Sequence, residues 1–551
     1  MKGAVVGAAA VALLGSSLAT SAGAEPSVKG PLNAIDHIVV IYEENHSFDN
    51  LFGSWPGVNG LAANPAQSPN VTQRATDGTT LACLPQNDVN LTSPPLSGTS
   101  CTVPVLNNVS PATLNSDFAN APFKIDDFIT PPDTTCPPPS KAFSFPNGVL
   151  KGNGLPGGCT RDLVHRFYQE QYQIDGGRMD RYVVGSDAIG LTMGYYDTTS
   201  LRIYQFLTGK QAPKYAVLDN FYQAAFGGSF LNHQWLIAAQ TPTYPNAPAN
   251  LHSIIGADGS PSNYPMHPST GLKDSDLTVA PNLDGSCPTP ARVCGNWAVN
   301  TMQPSQQPSG AFGDKLPLQT ATTIGDELTA KGVSWAWYAG GWSNAAGDVG
   351  GPGWTNGSGP TCSDPNAITG STYPLCPDWL FQFHHQPFNY FANYGPGTPG
   401  RAHLQDEAAF LDAAADGSLP AVSFVKPLGE ENEHPGYASQ NTGNDHLVEL
   451  LKAILAGPDA NKTMIVVTYD EFGGQWDHVS PPTGQGVSDV WGPGTRIPAL
   501  VIANQLSGRN SVDHTQYDTT SILSTIEHKY GLAPLSSRDA SVNDLTAAFK
   551  A

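Results

Sequence analysis

The chain has 551 residues, and its 47 acidic residues against 26 basic ones give a formal net charge of −21. Nucleic-acid binding depends on basic surfaces that neutralise phosphates, so this balance argues against a nucleic-acid partner. Only 13% of the residues are charged and 40% are hydrophobic, which is typical of a large folded globule. No run of 18 or more apolar residues follows the N-terminus, so the sequence predicts no transmembrane segment.

The first 24 residues have the pattern of an export signal. Lys2 supplies a short positive segment, residues 3–14 are apolar, and small residues precede a cleavage site after Ala24. The sequence therefore predicts a secreted or periplasmic protein with a signal peptide over 1–24. Its eight cysteines fit an oxidising compartment, and pairing of neighbours along the chain would close four local loops, although other pairings stay open.

Hydrophobic patterning predicts strands and helices that alternate along the chain. Strands are predicted over 35–42, 216–221, 333–338, 421–426, 462–469 and 497–503. Helices are predicted over 162–173, 322–331, 402–415, 446–456 and 519–530. This alternation predicts an α/β fold, an α/β/α sandwich around a mostly parallel central sheet. Residues 25–551 are expected to form one domain with disulfide-pinned loop insertions at about 55–160, 244–312 and 340–378.

Dense polar clusters follow two of the predicted strands. The first cluster runs from Glu43 to Asp49, and the second from Asp470 to His478. Ligands of open α/β sheets bind beyond the carboxyl ends of the strands, where these clusters would lie. Carboxylates brought together there would repel one another unless a cation lay among them. The alternative is that the two strand ends face solvent separately.

Four motifs, in order, resemble signatures of the phospholipase C/acid phosphatase phosphoesterases, which are part of the alkaline-phosphatase-like superfamily. Residues 44–49 read ENHSFD, and residues 469–479 read YDEFGGQWDHV. Residues 433–435 read EHP, and residues 227–232, GGSFLN, occupy the place of the family's nucleophile turn. The resemblance extends from about residue 36 to 503 and implies an alkaline-phosphatase-like fold.

The resemblance implies a metal-assisted serine hydrolase. Its metal ligands would be Glu44, Asn45, Asp470 and Glu471, with the hydroxyl of Ser229 as a further ligand. An all-oxygen set suits one divalent ion such as Ca²⁺, Mg²⁺ or Mn²⁺. Ser229 would attack phosphorus and form a phosphoserine, which water would then hydrolyse.

Four histidines are candidates for binding the phosphate and the leaving group. His384 and His385 lie in a segment similar to one in the acid phosphatase branch, and His434 and His165 fit further positions around the phosphate in the same comparison. Each is also plausible as a satisfied core residue. His478 is expected to brace the metal-binding turn rather than to bind substrate.

The first functional interpretation is a secreted acid phosphatase acting on small phosphomonoesters. The alternative is a phospholipase C acting on phosphatidylcholine-like lipids, whose headgroup the aromatic side chains of 335–338 and Trp342 could cage, although such residues are more often core. A non-catalytic surface protein on the same fold is a third hypothesis. A sulfatase is disfavoured, because residues 229–233 do not match the C/S-x-P-x-R pattern that it requires.

Overall fold

The computed structural model describes most of the chain. The described residues are 1, 30–86, 90–91, 100–102, 113–115, 118–144, 149–187, 189–253, 277–282, 284, 286–287, 293–311 and 313–551. The predicted signal peptide, apart from Met1, and its cleavage site lie outside these residues.

A central sheet of eight strands organises the described residues. The strands are β1 (His37–Glu43), β2 (Tyr215–Leu218), β3 (Trp335–Ala339), β4 (Leu404–Asp406), β5 (Val422–Lys426), β6 (Thr463–Tyr469), β7 (Ala499–Ile502) and β8 (Asn510–Asp513). Their order across the sheet is β4-β3-β5-β1-β6-β7-β2-β8. All neighbours pair in parallel except those of β7, which is antiparallel to both β6 and β2. The mostly parallel sheet predicted from the sequence is confirmed.

Helices flank this sheet in two groups, which completes the α/β/α sandwich. The α-helices are α1 (Phe48–Leu51), α2 (Phe167–Ile174), α3 (Arg202–Thr208), α4 (Ser229–Ala238), α5 (Ile324–Lys331), α6 (Trp342–Ala346), α7 (Glu407–Asp416), α8 (Gln440–Ala456) and α9 (Thr520–Tyr530). Helix α8 packs against α3 and α7, whereas α4 packs against α5 and α9. Strands β1 and β6 are almost wholly buried in the middle, as their continuous apolar sequences predict.

Two predicted helices begin later than expected. The segment 402–415 starts with the edge strand β4, which pairs with β3, and Asp406 then caps α7 by accepting a hydrogen bond from the Ala408 N–H. The segment 162–173 becomes helical only at Phe167, and the preceding N–H of Val164 donates to Asp187 instead. This extended entry leaves His165 outside α2 and beside the site described below.

The predicted insertions contribute no strand to the central sheet within their described parts. Disulfides join Cys136 to Cys159, Cys287 to Cys294 and Cys362 to Cys376, so three of the expected neighbour pairs are confirmed. Cys83 is also disulfide-bonded, and the side chain of Cys101 lies outside the description. Among the described residues, no helix is both long and apolar enough to cross a membrane.

Candidate active site

The two polar clusters meet at the carboxyl edge of the sheet. Strands β1 and β6 are parallel neighbours with Glu43 opposite Tyr469, so Glu44 and Asp470 follow at adjacent strand tips. The Asn45 N–H donates to Asp470 Oδ1 at 3.0 Å, and these residues are completely buried. Gly473 has a φ of 61°, and a Cβ there would collide with the carbonyl of Asn45. The alternative of two separate solvent-facing ends is therefore wrong.

Ser229 reaches this edge as the first residue of α4. The turn before it passes close to the chain at Phe167, since a Cβ on Gly227 would lie 2.6 Å from the Phe167 nitrogen. The Ser229 hydroxyl donates to Glu44 Oε2 at 3.0 Å and lies 3.4 Å from Asn45 Oδ1. Its Oγ is thus within hydrogen-bond distance of two candidate metal ligands.

The carboxylates of Asp470 and Glu471 are each anchored through one oxygen and open at the other. Asp470 Oδ1 accepts the N–H groups of Asn45 and Glu471, and Glu471 Oε2 accepts the N–H of Gly473 at 2.6 Å. The other oxygens, Asp470 Oδ2 and Glu471 Oε1, are buried and accept no hydrogen bond from any described residue. Buried, unpaired carboxylate oxygens beside a hydroxyl and an amide oxygen fit a hard divalent cation.

Burial and mutual repulsion raise the pKa values of these carboxyl groups. Burial, and then the neighbouring Asp470, raises the pKa of Glu44 to about 8. The same two causes, in the same order, raise the pKa of Glu471 well above its usual range. Burial also raises the pKa of Asp470, against the opposing effect of Lys426. Like charges held this close in the interior need a cation to remain ionised together.

His165 and His434 flank the Asn45 amide. Their Nε2 atoms lie 3.3 Å and 3.1 Å from Asn45 Nδ2. Their Nδ1 atoms lie 2.5 Å from the Leu163 carbonyl and 2.6 Å from the Pro435 carbonyl, and a carbonyl can only accept. The ring protons of the neutral histidines are therefore on Nδ1, so both Nε2 lone pairs point toward the candidate site.

His385 and His384 approach from the other side of Glu44. His385 Nε2 lies 3.0 Å from Glu44 Oε1, and the His384 ring lies 4.5 Å from the His385 ring. Burial, and then the nearby Lys426 ammonium, lowers the pKa of His384 to about 3 and that of His385 well below the usual range. All four predicted histidines thus lie at this edge of the sheet. Three of them contact Glu44 or Asn45, and His384 contacts the ring of His385.

Two residues at the site were missed by the sequence analysis. Lys426 ends β5, on the other side of β1, and its fully buried ammonium contacts Glu44 Oε1 and donates to the carbonyls of Tyr42 and Glu43. His233 lies one helical turn after Ser229, whose carbonyl accepts from its Nδ1 at 2.7 Å. A lysine closing a buried strand and a histidine four residues after the serine were the available signals.

A comparison with models of known protein families identifies the family of this chain. The model of the Phosphoesterase family matches residues 35–533, which includes every strand of the central sheet and every residue of the site. The chain belongs to the phosphoesterase family. It is therefore a hydrolase acting on phosphoric ester bonds.

Similar proteins include several named phospholipases C. Phospholipase C A of Mycobacterium tuberculosis is 24% identical over 94% of this chain and 78% of its own length. The non-hemolytic phospholipase C of Burkholderia pseudomallei is 30% identical over 29% of each chain. A solved protein of the alkaline phosphatase superfamily from Vibrio parahaemolyticus matches 41% of this chain and 51% of its own, with 13% identity and a TM-score of 0.23, too low for a residue comparison.

A buried carboxylate connects the parts of this phosphoesterase site. Glu170, in α2, accepts hydrogen bonds from the Gly227 N–H and the Gln223 side chain through Oε2, and from the N–H and hydroxyl of Thr495 through Oε1. Gln223 Oε1 in turn accepts from the N–H of Phe472. Glu170 and Gln223 therefore join the turn before Ser229 to the loop that carries Asp470 and Glu471.

A second buried network joins the loop after β1, which carries Asp49, to the loop after β6, which carries Asp477 and His478. The Arg496 guanidinium donates to Asp477 through Nε and to Asp49 through one terminal nitrogen, while His478 Nδ1 lies 2.6 Å from Asp49 Oδ2. The other terminal nitrogen donates to the carbonyls of Asn59 and Asp219. The structure thus places His478 in a network with Asp49 and Asp477, next to the proposed metal ligands in sequence but outside their set.

Proposed function

We propose that the protein is a secreted acid phosphatase that hydrolyses small phosphomonoesters through Ser229 and one divalent metal ion. The observation that carries the proposal is the position of the Ser229 hydroxyl, 3.0 Å from Glu44 Oε2 in a pocket of buried carboxylate oxygens. A catalytic serine needs a group that lowers the pKa of its hydroxyl, and this pocket has the oxygen ligands to hold such a group.

The charge of the pocket supports one divalent ion. Three buried carboxylates, on Glu44, Asp470 and Glu471, face the single buried ammonium of Lys426 among the described residues of the pocket. This leaves a net charge of about two negative charges, which one divalent ion would neutralise. Asn45, Ser229 and the three carboxylates would hold the ion, and Ca²⁺, Mg²⁺ or Mn²⁺ suits this oxygen set. When bound, the ion would lower the pKa of the Ser229 hydroxyl and neutralise charge on the phosphoryl oxygens.

The chain's own residues supply the other steps. Ser229 Oγ would form the bond to phosphorus as the ester oxygen leaves, and water would then hydrolyse the phosphoserine. Gly228 carries no side chain that could cap α4, so the N–H groups of the first helical turn are open to a phosphate. His165 and His434 hold their Nε2 atoms toward the same space. Burial lowers the pKa of both rings, so either ring would gain a second proton only together with a bound phosphoryl oxygen or leaving oxygen, which it would then bind.

Two features favour monoesters over choline phospholipids. His385 lies beside Glu44 and His384 contacts the His385 ring, and both belong to a segment that resembles one in the acid phosphatase branch. The aromatic residues considered as a choline cage are core, since Trp335, Trp337, Tyr338 and Trp342 are at most 3% exposed. Phospholipase C remains the second candidate, because relatives covering most of the chain carry that name.

Hydrolysis of p-nitrophenyl phosphate and of p-nitrophenyl phosphorylcholine by the purified protein separates the two candidates. We expect a higher kcat/KM for the monoester, and a strong preference for the diester would replace our proposal with the second candidate. The Ser229→Ala variant tests both against a non-catalytic protein. It should stay folded and lose nearly all turnover of either ester, whereas undiminished turnover would exclude Ser229 as the nucleophile.

Export is a separate part of the proposal and has its own test. It rests on the signal pattern over 1–24. The protein expressed in its native host should be found outside the cytoplasm with Glu25 as its first residue, as N-terminal sequencing would show. An unprocessed chain that stays in the cytoplasm would contradict this part and leave the proposed chemistry unaffected.

A further inference from the structure

The two carboxylate oxygens of Glu44 face different surroundings. Oε2 accepts the Ser229 hydroxyl on the side of the proposed metal ligands. Oε1 faces a separate group made of Lys426, His385 Nε2 at 3.0 Å and His233 Nε2 at 4.0 Å. We call Glu44, His233 and His385 the histidine chamber. These three residues are fully or almost fully buried. The histidine chamber differs from the oxygen ligand set, and Glu44 is the one residue that belongs to both.

The histidine chamber has the donor atoms of a metal site. His233 Nδ1 is 2.7 Å from the Ser229 carbonyl, so its proton lies on Nδ1 and its Nε2 carries a lone pair. The Nε2 atoms of His233 and His385 make no hydrogen bond of good geometry with the described residues, and the atom nearest to His385 Nε2 is Glu44 Oε1, which would be a ligand of the same ion. Their rings stack with centroids 5.1 Å apart, and one ligand atom from each of the three residues lies within 4.8 Å of the others. Two imidazoles and a carboxylate are a ligand set typical of Zn²⁺.

Lys426 places a positive charge at this same position. Its ammonium contacts Glu44 Oε1, the oxygen that belongs to the chamber, and the carbonyls of Tyr42 and Glu43 fix it at 2.9 Å and 3.2 Å. The side chain is completely buried, so water does not screen its repulsion of a second cation.

We propose that Lys426 is the built-in cation of the histidine chamber and that it excludes a second metal ion from this phosphoesterase. The inference rests on the proposed function only in taking Glu44 as a ligand of one catalytic ion. The chamber is then a latent two-histidine, one-carboxylate site for a borderline metal such as Zn²⁺. Removing the lysine charge would open that site, with Glu44 as the carboxylate between the two ions.

The experiment counts bound metal in the purified full-length protein. Wild type, Lys426→Met and Lys426→Arg are each incubated with Zn²⁺ together with Mn²⁺, freed of unbound metal and analysed by mass spectrometry. Met keeps the length and apolar stem of lysine without its charge, and Arg keeps the charge. We expect one equivalent of metal in the wild type and in the arginine variant, and two in the methionine variant. The second equivalent should be Zn²⁺ and should be lost in Lys426→Met/His385→Gln.

Each other result overturns the inference. Two equivalents of metal in the wild type would show that Lys426 does not exclude the second ion. One equivalent or none in the folded methionine variant would show that the charge of Lys426 is not what keeps the histidine chamber empty. If the methionine variant does not fold, Lys426→Gln replaces it. If neither variant folds, Zn²⁺ titration of the wild type is used instead. A second bound equivalent of Zn²⁺ that is lost in His385→Gln would contradict the inference, and the absence of a second equivalent would support it. Activity of Ser229→Ala tests the proposed function separately, because these metal counts do not depend on turnover.

Discussion

Two buried clusters of carboxylates follow the same pair of strands and differ in how their oxygens are satisfied. We call the second buried network, made of Asp49, Asp477, His478 and Arg496, the outer network. In it, both oxygens of each aspartate accept hydrogen bonds from Arg496, His478 or backbone N–H groups. In the candidate active site, Asp470 and Glu471 each leave one buried oxygen without a donor among the described residues. Asp49, Asp477 and His478 also have ligand atoms close enough together for a metal, but Arg496 already satisfies both aspartates.

This difference separates a structural cluster from a functional one. Buried polar groups in folded proteins are nearly always paired, so unpaired ones require an explanation. In the outer network Arg496 and His478 are the partners of the two aspartates, and the cluster joins the loops after β1 and β6 without any ligand. In the active site the missing partner would be the divalent ion that we propose. Matched aspartate substitutions in the two clusters should therefore have opposite consequences.

The largest expected effect comes from Asp470→Asn. The amide oxygen can still accept the N–H groups of Asn45 and Glu471, but an NH₂ group replaces the free oxygen that faces the pocket. We expect loss of the bound metal and a fall in kcat/KM of about 10³-fold or more, with the fold retained. Metal analysis, circular dichroism and kinetics measure these three properties.

The matched control is Asp477→Asn. Its carboxylate accepts N–H donors at both oxygens, so an amide NH₂ must face one of them. This variant should keep its metal and lose stability. If Asp477→Asn lost the metal and Asp470→Asn kept it, the assignment of the two clusters would be reversed.

Breaking the outer network at its centre should have the next largest effect. Arg496→Met removes the only guanidinium that the structure places between Asp49 and Asp477, both of which are buried. Leaving buried charges uncompensated costs about 3–5 kcal/mol of the free energy of unfolding. Denaturant unfolding of the metal-loaded protein measures this loss, and a change below about 1 kcal/mol would contradict the structural role.

A smaller effect is expected from Glu170→Gln, which changes the link between the two halves of the active site. All four groups that contact the carboxylate can donate, so the amide NH₂ of glutamine must face at least one donor. A displaced turn before Ser229 should lower kcat by about 10- to 100-fold, whereas KM should change little. Active-site titration gives kcat per competent site, which mere loss of folded protein would not lower.

The control for this prediction is Glu527→Gln. Glu527 is a buried carboxyl in the second half of α9, and burial raises its pKa to about 9. The same chemical change there should leave kcat per competent site unaltered. If both variants lowered it equally, Glu170 would have no specific role in positioning the nucleophile.

The sequence was most informative where strand patterns and motifs coincide. The apolar runs of β1 and β6 predicted adjacent buried strands, and the motifs after them predicted which carboxylates would meet. Lys426 was missed because a single lysine at a strand end has no distinctive local pattern. Its significance arises only when β5 pairs with β1, which brings together residues about 380 positions apart.

Local patterns also failed where tertiary contacts determine the structure. The apolar residues of β4 continue the helical pattern of α7, so the sequence predicts one helix over both. In the structure, β4 pairs with β3 and is an edge strand. Glu170 resembles any polar residue of a helix, and only the packing of α2 against the turn at Gly227 shows that its carboxylate is a shared acceptor.

The smallest expected effect concerns His478 in the outer network and the pH dependence of stability. Burial lowers the pKa of His478, but the hydrogen bond and charge of Asp49 outweigh burial, so the pKa is raised above that of the unfolded chain. The protonated histidine therefore stabilises the fold fully below the unfolded pKa of about 6.5, and this contribution is lost as pH rises through the folded pKa. His478→Gln should flatten the pH dependence of unfolding free energy above pH 6.5, measured in urea, compared with wild type. An unchanged profile would mean that Arg496 alone sets the charge balance of the outer network.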